Sequence, residues 1–462
     1  MKNKDSKLRT LKKESYREEI INGPITSTLM KLAWPIMITN GMQVLYNIAD
    51  TFWVGKISAQ AVAAISISFP VVFLFISIGA GINISGTTLV AQYTGAGESE
   101  NADKVATQLL VFIFSLSVVL SFIGYLFNEN ILNLIGAPEN IMAQATSYLN
   151  IFFIGLPFMF LFFVFSALLR GVGDTKTPMK MMIISVLINI VADPFIIFGW
   201  SFFPKLGVKG AALATISSRA IAGLIGMYLL FSGKKGIHIK KKYLKPDLKM
   251  YKKILRIGIP SAGEKSMAAI SIVLFMGIIS RFGTMAVAAY GIGHRVMSIV
   301  RMPVRGFGRG TTTMVGQNLG ADKIDRAERC TWIATAITFL TLILIWVGVF
   351  IFSEQIIAIF NNNPEVIKIG SSFLKIAGFS FSFIGIRLVI GSGFRGAGNT
   401  LIAMILAIIA LIILRIPLSY FLSVNLNWGI NGVWWGMLIA NAIAAIIGVY
   451  WFNKGTWKEK EV

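Results

Sequence analysis

The sequence predicts an all-α membrane protein: twelve transmembrane helices in two parallel-repeat six-helix bundles. Three observations lead there. The chain of 462 residues is 55% hydrophobic, and its mean hydropathy of +0.72 lies far above that of an ordinary soluble domain. Apolar stretches of roughly 20 residues recur along it, each long enough to cross a bilayer as a helix, whereas a transmembrane β-barrel would show short alternating segments. The second half of the chain also repeats the first at one constant offset.

Residues 1–28 are charged and amphipathic and are expected on the cytoplasmic surface. They contain no short apolar core followed by a cleavage site, so no removable signal peptide is read. Spans are expected at 29–54, 60–83, 103–127, 143–169, 177–199 and 207–232, which makes 29–232 a first bundle. A basic cytoplasmic linker, 233–253, follows; ten Lys or Arg fall between Lys234 and Arg256 against one acid, Asp247. Spans at 254–280, 284–308, 327–353, 366–393, 399–423 and 429–452 make a second bundle over 254–452, and 453–462 is a cytoplasmic tail.

The net charge of +22 would suit a nucleic-acid partner, but its distribution argues against one. The basic residues gather at the ends, in the linker and in alternate short loops, which is the positive-inside pattern of a membrane protein. Arg170, Lys176 and Lys180 mark one inward loop; Arg301, Arg305, Arg309 and Lys323 mark another. The stretches from Asn128 to Ala143 and from Ser423 to Gly429 hold no Lys or Arg and are expected outside. A multi-pass protein of the plasma or inner membrane, with both termini cytoplasmic, is the expectation. Cys330 is the one cysteine, so neither an intramolecular disulfide nor a Cys cluster for metal is available.

The repeat has an offset of 225 residues, the separation of Pro35 from Pro260. In the same register Val62-Ala63-Ala64 meets Val287-Ala288-Ala289, Thr87-Thr88 meets Thr312-Thr313, Gln92 meets Gln317, and Gly95-Ala96 meets Gly320-Ala321. RGVGDT at Arg170–Thr175 meets RGAGNT at Arg395–Thr400. Six spans per repeat run both bundles the same way through the membrane, an arrangement used for alternating access.

The first span, PIMITNGMQVLYNIADTFWV, carries Asn40, Gln43, Asn47 and Asp50 at steps of three, four and three, which places them on one helical face. Of 21 acids, Asp50, Asp193 and Glu264 are the ones well inside predicted spans. Intramembrane carboxylates are costly and mark function; the competing reading is a polar stripe that glues helices together. Ser185, Asn189 and Asp193 share a face at steps of four. Asp50 and Asp193 fall at similar depth in the outer part of the first bundle. Burial and a nearby second carboxylate both disfavour the charged form, which an incoming proton or sodium ion would relieve. Carboxylate, amide and hydroxyl oxygens suit a hard cation, so no metal is expected beyond sodium at Asp50 and Asp193. Pro35 removes a backbone donor and loosens its helix. Glu264 lies near mid-depth of the seventh span, and its neighbour Lys265 points about 100° away around the helix. Arg387, His294, Arg295 and Arg415 fall inside or near second-bundle spans. They are read either as paired or snorkelling residues or as contacts for an anionic or zwitterionic substrate.

Several motifs together carry a family resemblance: the P-x₁₄-D-T pattern of Pro35, Asp50 and Thr51, the two VAA segments, the LVAQYTGAG and MVGQNLGAD loops, the two RGxGxT loops, and NIVADP at Asn189–Pro194. Over about 25–452 the chain resembles the multidrug and toxic compound extrusion (MATE) transporters. It is closer to the branch with DNA-damage-inducible and archaeal efflux members than to the vibrio-type branch. The resemblance implies export of organic, often cationic, compounds against uptake of protons or sodium ions. It implies a cation-coupling site at Asp50, Asn189 and Asp193, with Thr215 of GAALAT as the sixth-span threonine, and a Pro35 bend when Asp50 is protonated. Asn40, Gln43, Asn47 and Glu264 are the expected polar lining for substrate. The second bundle departs from the vibrio-type pattern, which has an aspartate on the tenth span. A monomer in contact with membrane lipid, acting on a small organic substrate without a cofactor, is expected.

An ATP-driven pump would carry GxxxxGK[ST], and a membrane hydrolase HExxH or GxSxG; the chain has none of these, so an enzyme is not expected. A channel needs neither a duplicated bundle nor paired buried acids. The rival is a lipid-linked precursor flippase of a related superfamily. It predicts a basic interior and usually extra spans; the acidic first bundle counts against it and the second-bundle arginines count for it.

Overall fold

Long apolar runs without turn residues give long helices, and among the described residues the chain is helical without a strand. The computed structural model describes residues 14–200 and 203–458; the expectations for 1–13 and 459–462 lie outside the described residues. A short helix, α1 (14–22), ends at Gly23-Pro24. There follow α2 (Ile25–Gly55), α3 (Ala59–Gly95), α4 (Ser99–Leu134), α5 (Glu139–Val172), α6 (Lys176–Phe198) and α7 (Val208–Ser232). After the linker come α8 (Leu248–Ile279), α9 (Thr284–Val300), α10 (Met302–Gly320), α11 (Ile324–Ile351), the short α12 (Ser353–Ala358), α13 (Pro364–Gly396), α14 (Thr400–Ile408), α15 (Arg415–Tyr420) and α16 (Gly429–Asn453). Ten helical segments among the described residues are long and apolar enough to cross a membrane. The remaining two expected spans correspond to α2, with its polar stripe, and to α9 with α10, which break at Arg301.

The structure corrects several local readings. The LVAQYTG and MVGQNLG stretches are not loops; α3 and α10 stay helical to Gly95 and Gly320. Arg305 and Arg309 are likewise helical rather than in an inward loop. In both cases backbone hydrogen bonding continues past the apolar stretch, because the residues there are helix-compatible and closely packed. The span expected at 399–423 stays helical over Thr400–Asn425, with π-helical turns at Ile409–Leu414 and Phe421–Asn425.

The chain forms two compact units. The first holds Ile38–Ala262 with the segment that ends at Glu18; the second holds Glu19–Met37 with Gly263 onward. The expected bundles divide at the 233–253 linker, whereas the compact units divide inside α2 and inside α8. Both divisions fall two residues after a proline, Pro35 and Pro260, and the 225-residue offset relates them. Proline withholds the backbone donor that would bind the carbonyl one turn earlier, so each helix is weakened next to the point where it changes unit.

In the first unit α5 is the central helix, packed on α3, α4 and α7, with α6 on α7. Small residues allow close approach: a Cβ on Gly155 would meet Ile216 at 2.2 Å, and one on Gly226 would meet Phe165 at 2.6 Å. In the second unit α13 takes the same place, packed on α9, α10, α11 and α16. A clasp recurs in both units. Thr87 donates to the Ala167 carbonyl at 3.0 Å, and Thr312 donates to the Ser392 carbonyl at 3.1 Å. Beside each clasp a glycine of RGxGxT meets backbone: a Cβ on Gly171 would lie 2.9 Å from the Thr87 oxygen, and one on Gly396 2.7 Å from the Thr312 oxygen. The next glycines, Gly173 and Gly398, have φ of 104° and 88°, the left-handed turn that ends a helix. The paired motif therefore has a structural cause in both halves.

The basic linker is folded against the first unit. Asp103 of α4 accepts from the His238 backbone N–H at 2.9 Å and pairs with Lys240 at 3.1 Å. Gln108 accepts from the Asp247 N–H at 2.9 Å and donates to the Lys245 carbonyl at 2.7 Å. Lys104 pairs with Asp247 at 2.6 Å, and Ile237 and Ile239 are buried.

Candidate functional site

The site in the first unit is built from α6, α7 and the outer half of α2. Asp174 accepts from the backbone and hydroxyl of Thr177 at 2.9 and 2.6 Å at the start of α6, so this RGxGxT acid anchors a helix start. From there the α-helical repeat carries Ser185, Asn189 and Asp193 up one face, all fully buried. Asn189 Nδ2 donates to Asp193 Oδ1 at 3.0 Å. The remaining oxygens, Ser185 Oγ, Asn189 Oδ1 and Asp193 Oδ2, are buried without a hydrogen-bond partner among the described residues. Pro194 follows at once and has no N–H, so the Ile190 carbonyl also loses its helical donor. Unanswered buried oxygens are costly, and here several collect along one face of α6.

Asp50 comes from α2. Thr215 Oγ1 of α7 donates to Asp50 Oδ1 at 3.4 Å. The charge of Asp50 reaches Asp193, Tyr46 and Tyr148. The four residues expected to couple the cation thus form two bonded pairs in one unit, joined by the reach of Asp50. All their ligating atoms are hard oxygens suited to a proton or to sodium.

The polar face of α2 runs toward an arginine that the sequence reading missed. Arg219 donates to Gln43 Oε1, stacks on Tyr46 at 4.9 Å, and its charge reaches Asp50. Gln43 in turn donates to Asn47 Oδ1 at 3.1 Å. Asn40 is buried and Asn47 is exposed on the unit. The signal for Arg219 is its place well inside the apolar sixth span. The first unit's interior is therefore mixed in charge, not purely acidic.

Glu264 belongs to the second unit, apart from these groups. Arg395 Nη1 donates to its two oxygens at 3.0 and 2.9 Å, and Arg395 Nη2 donates to Ser392 Oγ at 2.7 Å. An ion pair this well closed makes Glu264 the partner of an RGAGNT arginine, a link across 131 residues that no local pattern shows. Pro35 lies buried inside α2, and Arg295 is exposed.

A duplicated six-helix scaffold of membrane-crossing helices, with a polar site enclosed in one unit, defines a multi-pass membrane transporter. The family model described as MatE matches residues 35–195 and 260–421, and the chain belongs to that family of multidrug efflux transporters. It is 32% identical to the "Probable multidrug resistance protein YoeA" of Bacillus subtilis, over 93% of each chain. It is 30% identical to the "Probable multidrug resistance protein NorM" of Thermotoga maritima, over 95% of this chain and 94% of that one. The fold superposes on a crystal structure of MATE in complex with MaL6 with a TM-score of 0.89 at 25% identity, covering 95% of this chain and 97% of that one.

Proposed function

We propose that the protein is a secondary antiporter of the plasma or inner membrane that exports organic compounds in exchange for protons or sodium ions. One observation carries this reading: the unpartnered oxygens of Ser185, Asn189 and Asp193, buried along one helical face within reach of the Asp50 charge. Such a group is stabilised by any small cation that enters it. Asp50, Asn189, Asp193 and Thr215 hold the ion. Gln43 and Asn47, with Asn40 below them, extend the polar surface, and Arg219 keeps Asp50 from standing as an unopposed charge. Ion and cargo exchange because each binds one state of the protein better than the other; the energy transferred is that difference in affinity. No cofactor takes part, the working unit is a monomer, and the basic segments keep both termini cytoplasmic.

The test is ethidium efflux from energised vesicles with pH and sodium gradients imposed separately. Wild-type efflux should respond to one gradient. Asp50→Asn and Asp193→Asn should each lower gradient-driven efflux by roughly 5–150-fold, the usual range of a coupling free energy, at unchanged protein level. Undiminished gradient-driven efflux in both variants would refute the ion site.

A second reading, a flippase for lipid-linked precursors, is favoured by one observation. Arg387 and Arg415 are buried in the second unit at 6% and 9% exposure.

A further inference from the structure

We propose that the second unit carries a binding site for the phosphate groups of an anionic organic substrate. This rests on the exporter reading and names its cargo. The arginines of this unit form a closed circuit of neighbouring charges. Arg309 feels Arg305 and Arg395; Arg301 feels Arg305 and Arg415; Arg387 feels Arg415 and Arg395. Three helices and the break before one of them supply these side chains. Arg301 stands at the α9–α10 break, and Arg305 and Arg309 follow on α10 at steps of four, so the three share a face. Arg387 and Arg395 lie on α13, and Arg415 begins α15.

The circuit has six guanidiniums and one carboxylate, Glu264, which Arg395 holds with both oxygens. Arg305 and Arg309 are exposed on the unit and pair with no acid among the described residues. The deeper members are fixed in place rather than snorkelling outward. Arg415 lies over the Phe275 ring at 3.6 Å. Arg301 lies over Phe381 at 5.5 Å, with Nη2 2.9 Å from His294 Nε2. The Nε atoms of Arg387 and Arg415 are buried without an acceptor. Clustered like charges and unmet buried donors are both unfavourable, and an entering anion removes both costs. Planar guanidiniums bind phosphate through paired hydrogen bonds. Several within reach of one another's charge suit a ligand with more than one ionised oxygen, such as a diphosphate ester.

The full chain in nanodiscs of zwitterionic lipid would be titrated with inorganic pyrophosphate, ADP and farnesyl diphosphate by calorimetry. Saturable pyrophosphate binding is expected, and it should weaken as salt is raised. Arg387→Gln and Arg415→Gln should each weaken it by roughly tenfold. The Arg305→Gln/Arg309→Gln double variant, at exposed positions, should do the same if the buried variants fail to fold. Glu264→Gln should tighten binding, because it frees Arg395. Tighter binding of ADP would identify a water-soluble cargo, and tighter binding of farnesyl diphosphate a lipid-linked one; either supports the site. The proposal is overturned if none of the three probes saturates, or if the arginine variants bind as wild type does. Ethidium efflux under an imposed gradient, measured on the same protein reconstituted in sealed vesicles, separates this outcome from failure of the exporter reading.

Discussion

At matching places in the two units a threonine hydroxyl crosses to a carbonyl, at 3.0 Å in the first and 3.1 Å in the second. The polar groups inside the spans differ. In the 225-residue register, Phe275 stands where the first unit has Asp50, Leu414 where it has Asn189, and Leu418 where it has Asp193. Conversely, Arg387 and Arg415 stand where the first unit has Phe162 and Ile190. The ring that replaces Asp50 now lies beneath the Arg415 guanidinium. Duplication kept the contacts that close the helices and let the polar groups diverge. One unit carries carboxylates at the half-buried Asp50 and the buried Asp193, and the other carries buried arginines at Arg387 and Arg415.

The largest effect that would break this comparison comes from Asp193→Asn, in which ion-driven ethidium efflux should fall to near background while an added arginine-unit variant does not restore it. Next is Glu264→Gln. It leaves the half-buried Arg395 without its anion and should destabilise the protein by about 1–3 kcal/mol, read as a lowered midpoint in thermal unfolding. Combining it with Arg395→Gln should recover most of that loss. Smaller, and equal in the two units, should be Gly171→Ala and Gly396→Ala. Each forces a Cβ against a threonine carbonyl and should cost about 1–3 kcal/mol; a loss confined to one unit would contradict the shared clasp. The smallest effect is Lys104→Ala. Its hydrogen bond and charge hold the Asp247 carboxyl below the ordinary carboxylate range, so the pair contributes stability at neutral pH. That contribution should fade as the pH falls through the lowered value. Cleavage of the linker by added protease should rise modestly in the variant at neutral pH and converge with wild type in acid.

Much of the fold was legible because a bilayer imposes length and apolarity on each helix, and because the repeat register is constant. The helix ends past the apolar stretches were not, since Leu89–Gly95 and Met314–Gly320 read as loops from their glycines and yet remain helical. The steps of four that align Ser185, Asn189 and Asp193 were readable from sequence alone, whereas their unmet oxygens required packed coordinates. Thr215 meets Asp50 across 165 residues, and Arg219 meets Gln43 across 176. Family resemblance supplied the threonine; nothing local pointed to the arginine's partner. The division of α2 and α8 between units was also hidden, because both halves of each helix are apolar and neither half announces its neighbours.

That division sets an order of assembly. Glu19–Met37 is made before Ile38–Ala262, yet the unit it belongs to resumes only at Gly263. The first unit has all its residues once Ala262 has been made, whereas Glu19–Met37 must wait for the helices that follow. A chain truncated after α8 would therefore hold the whole first unit and leave Glu19–Met37 without most of its own unit, a substrate for membrane quality control.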